Sequence, residues 1–296
     1  MAKWIDLLDP SADEVRANAP SVVDDEACAI LLRPLVHDDE PRPRIDGRGA
    51  FVLSIFVVPV VVESEDRLYF QELDMVVTRD VVLTVRKTPA RGVAFEPDVP
   101  PEGRPGELAV AVVDSVAEAF LAAVDALDDE VDEVDDAVDG ADPAHVRQRI
   151  RSLRQDLLRV RRTISPTREA LHRVVDRRVD VEGEEAFPHD VEVAFGDAYD
   201  KLLRAVDGLD LARDLLAGAR DYLQSRIANE QNEVMKRLTA IASILLLPTF
   251  IVGLYGQNFQ HHFPEIHWQY GYLWSWALIV ATTAGQLVFF RRRGWI

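Results

Sequence analysis

LTAIASILLLPTFIVGLY, residues 238–255, runs without one charged side chain, and so does GYLWSWALIVATTAGQLVFF, residues 271–290. Each is close to the roughly 20 residues that a helix needs to cross a hydrocarbon layer. Buried core helices can be equally apolar, but the flanks here are those of membrane spans. Lys236 and Arg237 precede the first run, and Arg291, Arg292 and Arg293 follow the second, together forming a candidate basic ring. The connection at 256–270 holds no Lys or Arg. Basic residues stay on the cytoplasmic side, so both chain ends are expected in the cytoplasm and the connection outside. Tyr255, Trp268, Tyr270, Tyr272, Trp274 and Trp295 mark the two interfaces as an aromatic belt does. Pro248 lies inside the first run, where a neighbouring helix or a Ser or Thr side chain can re-satisfy the carbonyl it frees.

The remainder of the 296 residues reads as soluble, and the mean hydropathy near zero hides this split. A formal net charge of −18 excludes a nucleic-acid partner, because a phosphate-binding surface needs Lys and Arg. Such a surface concentrates cations, and it also serves plain solubility. Cys28 is the only cysteine, so neither an intrachain disulfide nor a cysteine zinc cluster can form. The first residues, Met1-Ala2-Lys3-Trp4-Ile5-Asp6, lack the apolar stretch of a signal peptide, and the soluble part is expected in the cytoplasm.

Along that soluble part, Ser11 followed by Glu14 reads as a capping box opening a helix, and residues 24–33 are a second helix stopped by Pro34. Residues 50–62, 68–78 and 81–85 are β-branched, apolar and separated by charged turns, so they are expected to be strands. The Pro- and Gly-rich stretch 97–106 closes this α/β domain. From Leu108 onward Val116, Phe120, Val124, Leu127, Val131, Val134 and Val138 recur at steps of three and four. The other faces of that helix carry Asp125, Asp128, Asp129, Glu130, Asp132, Glu133, Asp135, Asp136 and Asp139. Gly140 ends it and Asp142-Pro143 opens a basic helix holding Arg147, Arg149, Arg151, Arg154, Arg159, Arg161 and Arg162. An acidic helix followed by a basic one predicts an antiparallel hairpin. A third pattern begins near Asp190 and continues through Phe195, Leu202, Leu209, Leu216 and Leu223 into the first span. About sixty residues at roughly 1.5 Å each make a rod of roughly 100 Å, which should pack against copies of itself.

The fold expected is an α+β membrane protein. It divides into an α/β domain (1–106), a helical hairpin (107–188), a stalk helix (189–237), a first span (238–256), an outer loop (257–270), a second span (271–290) and a basic tail (291–296). One two-span hairpin cannot enclose a conduit, so transport would require a ring of subunits. Asn232, Met235, Thr239, Ala242, Leu246, Thr249, Gly253 and Gly256 share one face of the first span. None is charged, and neutral oxygens suit a cation such as Mg²⁺ that gives up its water reluctantly. The same stripe of small residues also reads as a surface for close helix packing.

Tyr255-Gly256-Gln257-Asn258-Phe259 resembles the Tyr-Gly-Met-Asn-Phe signature of the CorA family of magnesium channels. Asn232-Glu233-Val234-Met235-Lys236, Pro264-Glu265, His267-Trp268 and Tyr270-Gly271-Tyr272 look like the same family, as do Trp4-Ile5-Asp6-Leu7-Leu8 and the 166–169 stretch of the basic helix. The resemblance covers essentially the whole chain in order. It implies a homopentamer in the cell membrane, with the first span lining the pore and the second outside it. It implies a filter of Gly256, Gln257 and Asn258 at the mouth, and inner positions at Met235, Leu238, Leu246 and Thr249, the apolar ones forming the gate. Asp197 matches the stalk position where the family holds a regulatory metal between subunits, its partner expected near residues 63–66. Mg²⁺ is then both the transported ion and a regulatory one, with Co²⁺ or Ni²⁺ as further cargo and no organic cofactor.

Gln257 departs from the signature, which has Met there and so leaves the cation open. His261, His262 and His267 read either as a zinc lure or as incidental loop residues. A zinc transporter of the same fold, passive or proton-driven, and a membrane-anchored metal sensor with a closed pore are the competing readings. No Gly-rich phosphate loop or nucleophile–base pairing is present, so no enzyme is expected.

Overall fold

The computed structural model describes residues 1–33, 42–62, 65, 67–89, 91–179, 181, 187–257 and 268–296. It comprises two compact units, Met1–Arg220 and Asp221–Ile296. Pro34, expected to stop the second helix, lies outside the described residues.

The first unit is built on a sheet of β1 (Ala2–Leu8), β2 (Arg44–Gly47), β3 (Val52–Val62), β4 (Arg67–Val77), β5 (Val81–Arg86) and β6 (Glu102–Gly103). The strand order is β2-β3-β4-β5-β1-β6, with β1 parallel to β5 and the other neighbours antiparallel. The three long apolar runs of the sequence are β3, β4 and β5. Register places Ile5, Leu83, Val76 and Leu53 side by side across four strands. That row faces α1 (Ala12–Asn18) and α2 (Asp25–Leu32), whose Val15, Ala27 and Leu31 are buried in the same cluster. Both helices start as their sequences dictate. Ser11 and Glu14 close the reciprocal capping box, and the Asp24 carboxylate accepts from the Ala27 N–H at 2.6 Å.

The family-like stretch at residues 4–8 is strand β1, and its two faces do different things. Ile5 and Leu7 pack on the apolar cluster. On the other face the Trp4 indole donates to the Thr84 hydroxyl at 3.0 Å, and Asp6 accepts from Thr84 at 2.7 Å and from Arg86 at 2.5 Å. This stretch therefore clasps β1 to β5.

Three buried charges lie on the α2 side of the sheet. Lys87 Nζ donates to the carbonyls of Ile30, Leu31 and Arg33 at 3.0, 2.5 and 3.1 Å, satisfying the open C-terminal end of α2. Its donors being spent there, Nζ meets Asp74 Oδ2 at 3.1 Å as an ion pair without a hydrogen bond, and Glu72 at 3.9 Å. Burial, then the adjacent Asp74 carboxylate, pushes Glu72 up to about 8. Burial likewise raises Asp74, to about 6, against the pull of Lys87. Burial and mutual repulsion favour one proton shared by the two carboxyls, which titrate as a pair.

On the opposite face α3 (Pro105–Ala137) packs across the sheet and α4 (Pro143–Val175) against β2 and β3. All seven members of the seam from Val116 to Val138 are buried. A side chain such as Phe120 gains about 1.5–3 kcal/mol from leaving water. Across the hairpin Arg149 reaches Glu133 at 3.4 Å and Glu130 at 3.8 Å. Arg161 instead bonds Asp210 of the next helix, and Arg173 bonds Asp46 of β2 at 3.0 Å. The hairpin expected from opposite charges thus forms, but its adhesion is apolar, since exposed ion pairs contribute about 0–1 kcal/mol each.

Helix α5 runs unbroken from His189 to Tyr255, 67 residues. Within the first unit its Phe195, Ala198, Leu202, Ala205, Leu209, Ala212 and Leu216 are buried at helical spacing. Gly208 lets it approach α3, because a Cβ there would lie 2.8 Å from Val124 Cγ1. The second unit contains the rest of α5 and α6 (Gly271–Arg292), a pair long and apolar enough to cross a membrane.

Candidate pore face and metal sites

In the second unit α5 presents two unlike faces. Ala240 and Ile251 are buried, and Ser243, Ile244, Leu247 and Pro248 are half-buried. At 100° per residue these form one stripe, and it is the stripe that α6 covers. Gln286 of α6 donates to the Ser243 carbonyl at 3.1 Å. This is not the carbonyl that Pro248 frees, which belongs to Ile244 one residue on. A lone glutamine in an apolar run is the sequence signal for this cross-helix bond.

Asn232, Met235, Leu238, Thr239, Ala242, Leu246, Thr249, Gly253 and Gly256 are all exposed, Leu246 at 70%. They lie on the side of α5 turned away from α6. The two threonine hydroxyls donate back along the helix, Thr239 to Met235 O at 2.8 Å and Thr249 to Leu245 O at 2.7 Å. Each oxygen keeps only lone pairs to offer outward, which suits the protons of water around a cation. Exposed Leu246, Phe250 and Val252 cannot remain in water, so lipid or other copies must cover them.

At the mouth Gly256 N donates to Val252 O at 2.9 Å and Gln257 N to Leu254 O at 3.5 Å, as the helix closes. Asn258 lies outside the described residues, as do His261, His262, Pro264, Glu265 and His267. Trp268 and Tyr270 meet edge to face at 5.6 Å before α6, and Tyr272 pairs with Trp276 at 6.5 Å. Trp276, one turn deeper, joins the aromatic residues read from the sequence.

The expected basic ring is already partly engaged. Lys236 bonds Glu233 at 2.7 Å and holds that carboxyl below its usual range. Arg291 and Arg292 occupy the last turn of α6, where cations favour the helix dipole, and Arg293 lies 5.5 Å over the Phe289 ring. Trp295 stacks on Phe290 and borders a groove with Asn232, Met235 and Thr239, bringing the chain end to the start of the stripe.

Asp197 is exposed on α5 in the first unit, beside Asp114, Asp200, Lys201 and Arg204. Lys201 bonds Asp114 at 2.8 Å and Glu118 more closely, so those two carboxylates already share an ammonium. Among the described residues no three acidic, histidine or cysteine side chains converge as a metal site. Of the expected partner turn, 63, 64 and 66 lie outside the described residues, while Glu65 is engaged with Tyr69 and, at 3.5 Å, Arg91. Among the described residues of one chain, Asp197 meets no second carboxylate set that would complete a metal site.

The family model for CorA-like Mg²⁺ transporter protein matches residues 3–292. A putative metal ion transporter of Bacillus subtilis, YfjQ, is 28% identical over 86% of this chain and 78% of its own. The cobalt/magnesium transport protein CorA of Thermotoga maritima is 26% identical, over 90% of this chain and 77% of its own. The complete structure of the CorA magnesium transporter from Methanocaldococcus jannaschii superposes with a TM-score of 0.79 at 22% identity, covering 99% of this chain and 91% of that one.

Proposed function

Because the chain belongs to the CorA-like Mg²⁺ transporter family, a family of membrane transporters for divalent cations, we propose that it is a Mg²⁺ channel. Copies of the chain form a homopentamer around one axis, with both termini in the cytoplasm. The α5 stripe from Asn232 to Gly256 lines the pore, and α6 lies outside it toward lipid. The observation that carries this reading is the two-faced α5. The side that α6 leaves open carries Thr239, Thr249, Ala242, Gly253 and Gly256, whereas the covered side is mainly the larger apolar Ile244, Leu247, Pro248 and Ile251, with Ala240 and Ser243 among them. A face of lone-pair oxygens and backbone holds hydrated Mg²⁺ loosely enough to release it, whereas carboxylates would trap it. Met235, Leu238 and Leu246 supply an apolar constriction that closes by shedding water. Gly256, Gln257 and Asn258 form the mouth, and Co²⁺ or Ni²⁺ of similar charge and size would follow.

The same reading extends to Asp197 as half of a regulatory cation site whose other half comes from a neighbouring subunit. Proteoliposome uptake of Mg²⁺, Co²⁺ and Zn²⁺, each with and without a pH gradient, tests the cargo. Mg²⁺ flux independent of the gradient is expected. Proton-driven uptake of Zn²⁺ alone would replace this reading with the zinc transporter, and no flux of any cation would favour the closed sensor.

A further inference from the structure

The 166–169 stretch was singled out by its family resemblance, and nothing in the pore explains it. It sits in the first unit, on the wall of a cavity of about 650 Å³. Ser165, Pro166, Arg168 and Glu169 line the cavity with Arg162, Thr163 and His172 of the same helix, Tyr199 of α5, and Arg42, Pro43 and Val57 of the sheet side. Pockets of 300–1,000 Å³ hold small organic ligands.

The chemistry of the wall is specific. Arg149, Arg161 and Arg173 of α4 each reach a carboxylate. Arg42, Arg162 and Arg168, which face the cavity, have no ion-pair or hydrogen-bond partner among the described residues. Three unneutralised guanidiniums around one cavity repel each other unless an anion joins them, and their planar forks match phosphate oxygens. A protein of net charge −18 repels anions generally, so this basic concavity is a local exception. The rest of the wall offers something other than positive charge. Pro166 has no N–H, which leaves the Arg162 carbonyl as a free acceptor, and Glu169 adds a carboxylate. His172 keeps Nδ1 on Asp176 at 3.1 Å and stands edge to face with Tyr199 at 5.5 Å, giving an aromatic corner of two rings at 76°. Phosphate at one end, and a planar base with hydroxyl or amino donors at the other, would use every one of these groups.

We propose that this cavity binds a nucleoside polyphosphate, with Arg42, Arg162 and Arg168 on the phosphates and His172 and Tyr199 against the base. The test is equilibrium binding to the full-length protein in detergent micelles with divalent cations chelated, using ATP, tripolyphosphate, inorganic phosphate and adenosine as separate probes. ATP should bind saturably, tripolyphosphate more weakly, and adenosine or phosphate alone not measurably. The double substitution Arg162→Gln/Arg168→Gln should weaken ATP binding at least about tenfold, since it removes two charge-assisted contacts. Hydrogen exchange on the unsubstituted protein supplies a readout free of folding effects, with ATP slowing exchange around residues 162–172. No saturable ATP binding, binding retained by the double variant, or no protection of that segment would each overturn the proposal. Because the readouts are binding and exchange, they stand or fall apart from cation transport.

Discussion

At Gly256 and Gln257 the helix closes through bonds to Val252 and Leu254, and the Gln257 amide is followed directly by a second one, that of Asn258. Its amide oxygen is the group best suited to a hydrated cation at the mouth. Asn258→Ala is expected to abolish uptake without disturbing assembly, and wild-type uptake by a correctly assembled variant would remove Asn258 from the filter. A second prediction concerns Glu72. Its carboxyl is raised from 4.5 to about 8, so between those values the folded chain holds a proton that the unfolded chain has lost. The stability from this site is therefore complete below about pH 4.5 and disappears as pH rises through 8. Glu72→Gln should flatten the decline in melting temperature between pH 6 and 8.5, by on the order of 2 kcal/mol of stability. An unchanged slope would sink the assignment. Neither Glu72 nor Asp74 stood out in the sequence, because carboxylates on a strand look solvent-facing until register puts them beside Lys87 under α2.

Elements were the most legible scale, where period and capping signals are strong. The Ser11–Glu14 box, the helix after Asp24, the Val116–Val138 seam and the Asp142-Pro143 start all read directly from residue order. Strands β1, β2 and β6 did not, since short strands owe their state to neighbours rather than to their own pattern. The hairpin was anticipated for a secondary reason, charge, when its apolar seams hold it. The α5 stripe reads from its spacing as one face, but whether it meets a helix or stands open depends on where α6 lies. That placement gives a direct test in a Cys28→Ser background. Cysteines at Thr239, Ala242, Leu246 or Thr249 should let a hydrophilic thiol reagent block flux, and cysteines at Ala240 or Ile251, under α6, should not. The reverse pattern would turn the helix round.

For the whole molecule, a single two-span chain with exposed apolar helices needs cover, and the proposed ring of copies would supply both cover and conduit. Detergent-solubilised protein should have the mass of a pentamer, and a monomer or dimer under mild conditions would count against it. If Asp197 shares a cation with a neighbour, Mg²⁺ should protect the soluble region from protease, and Asp197→Lys should remove that dependence. Protection unchanged in the variant would end the regulatory role and leave the pore intact. The central claim is conduction of a divalent cation along the open face of α5. The most direct measurement is Mg²⁺ entry into proteoliposomes containing only this protein, compared with Leu246→Asp, which sets a ring of carboxylates in the apolar constriction. Gradient-driven Mg²⁺ entry that this substitution alters several-fold (about 1 kcal/mol or more in the barrier) is predicted. Absence of Mg²⁺ entry, or entry indifferent to a charge at Leu246, would contradict the account.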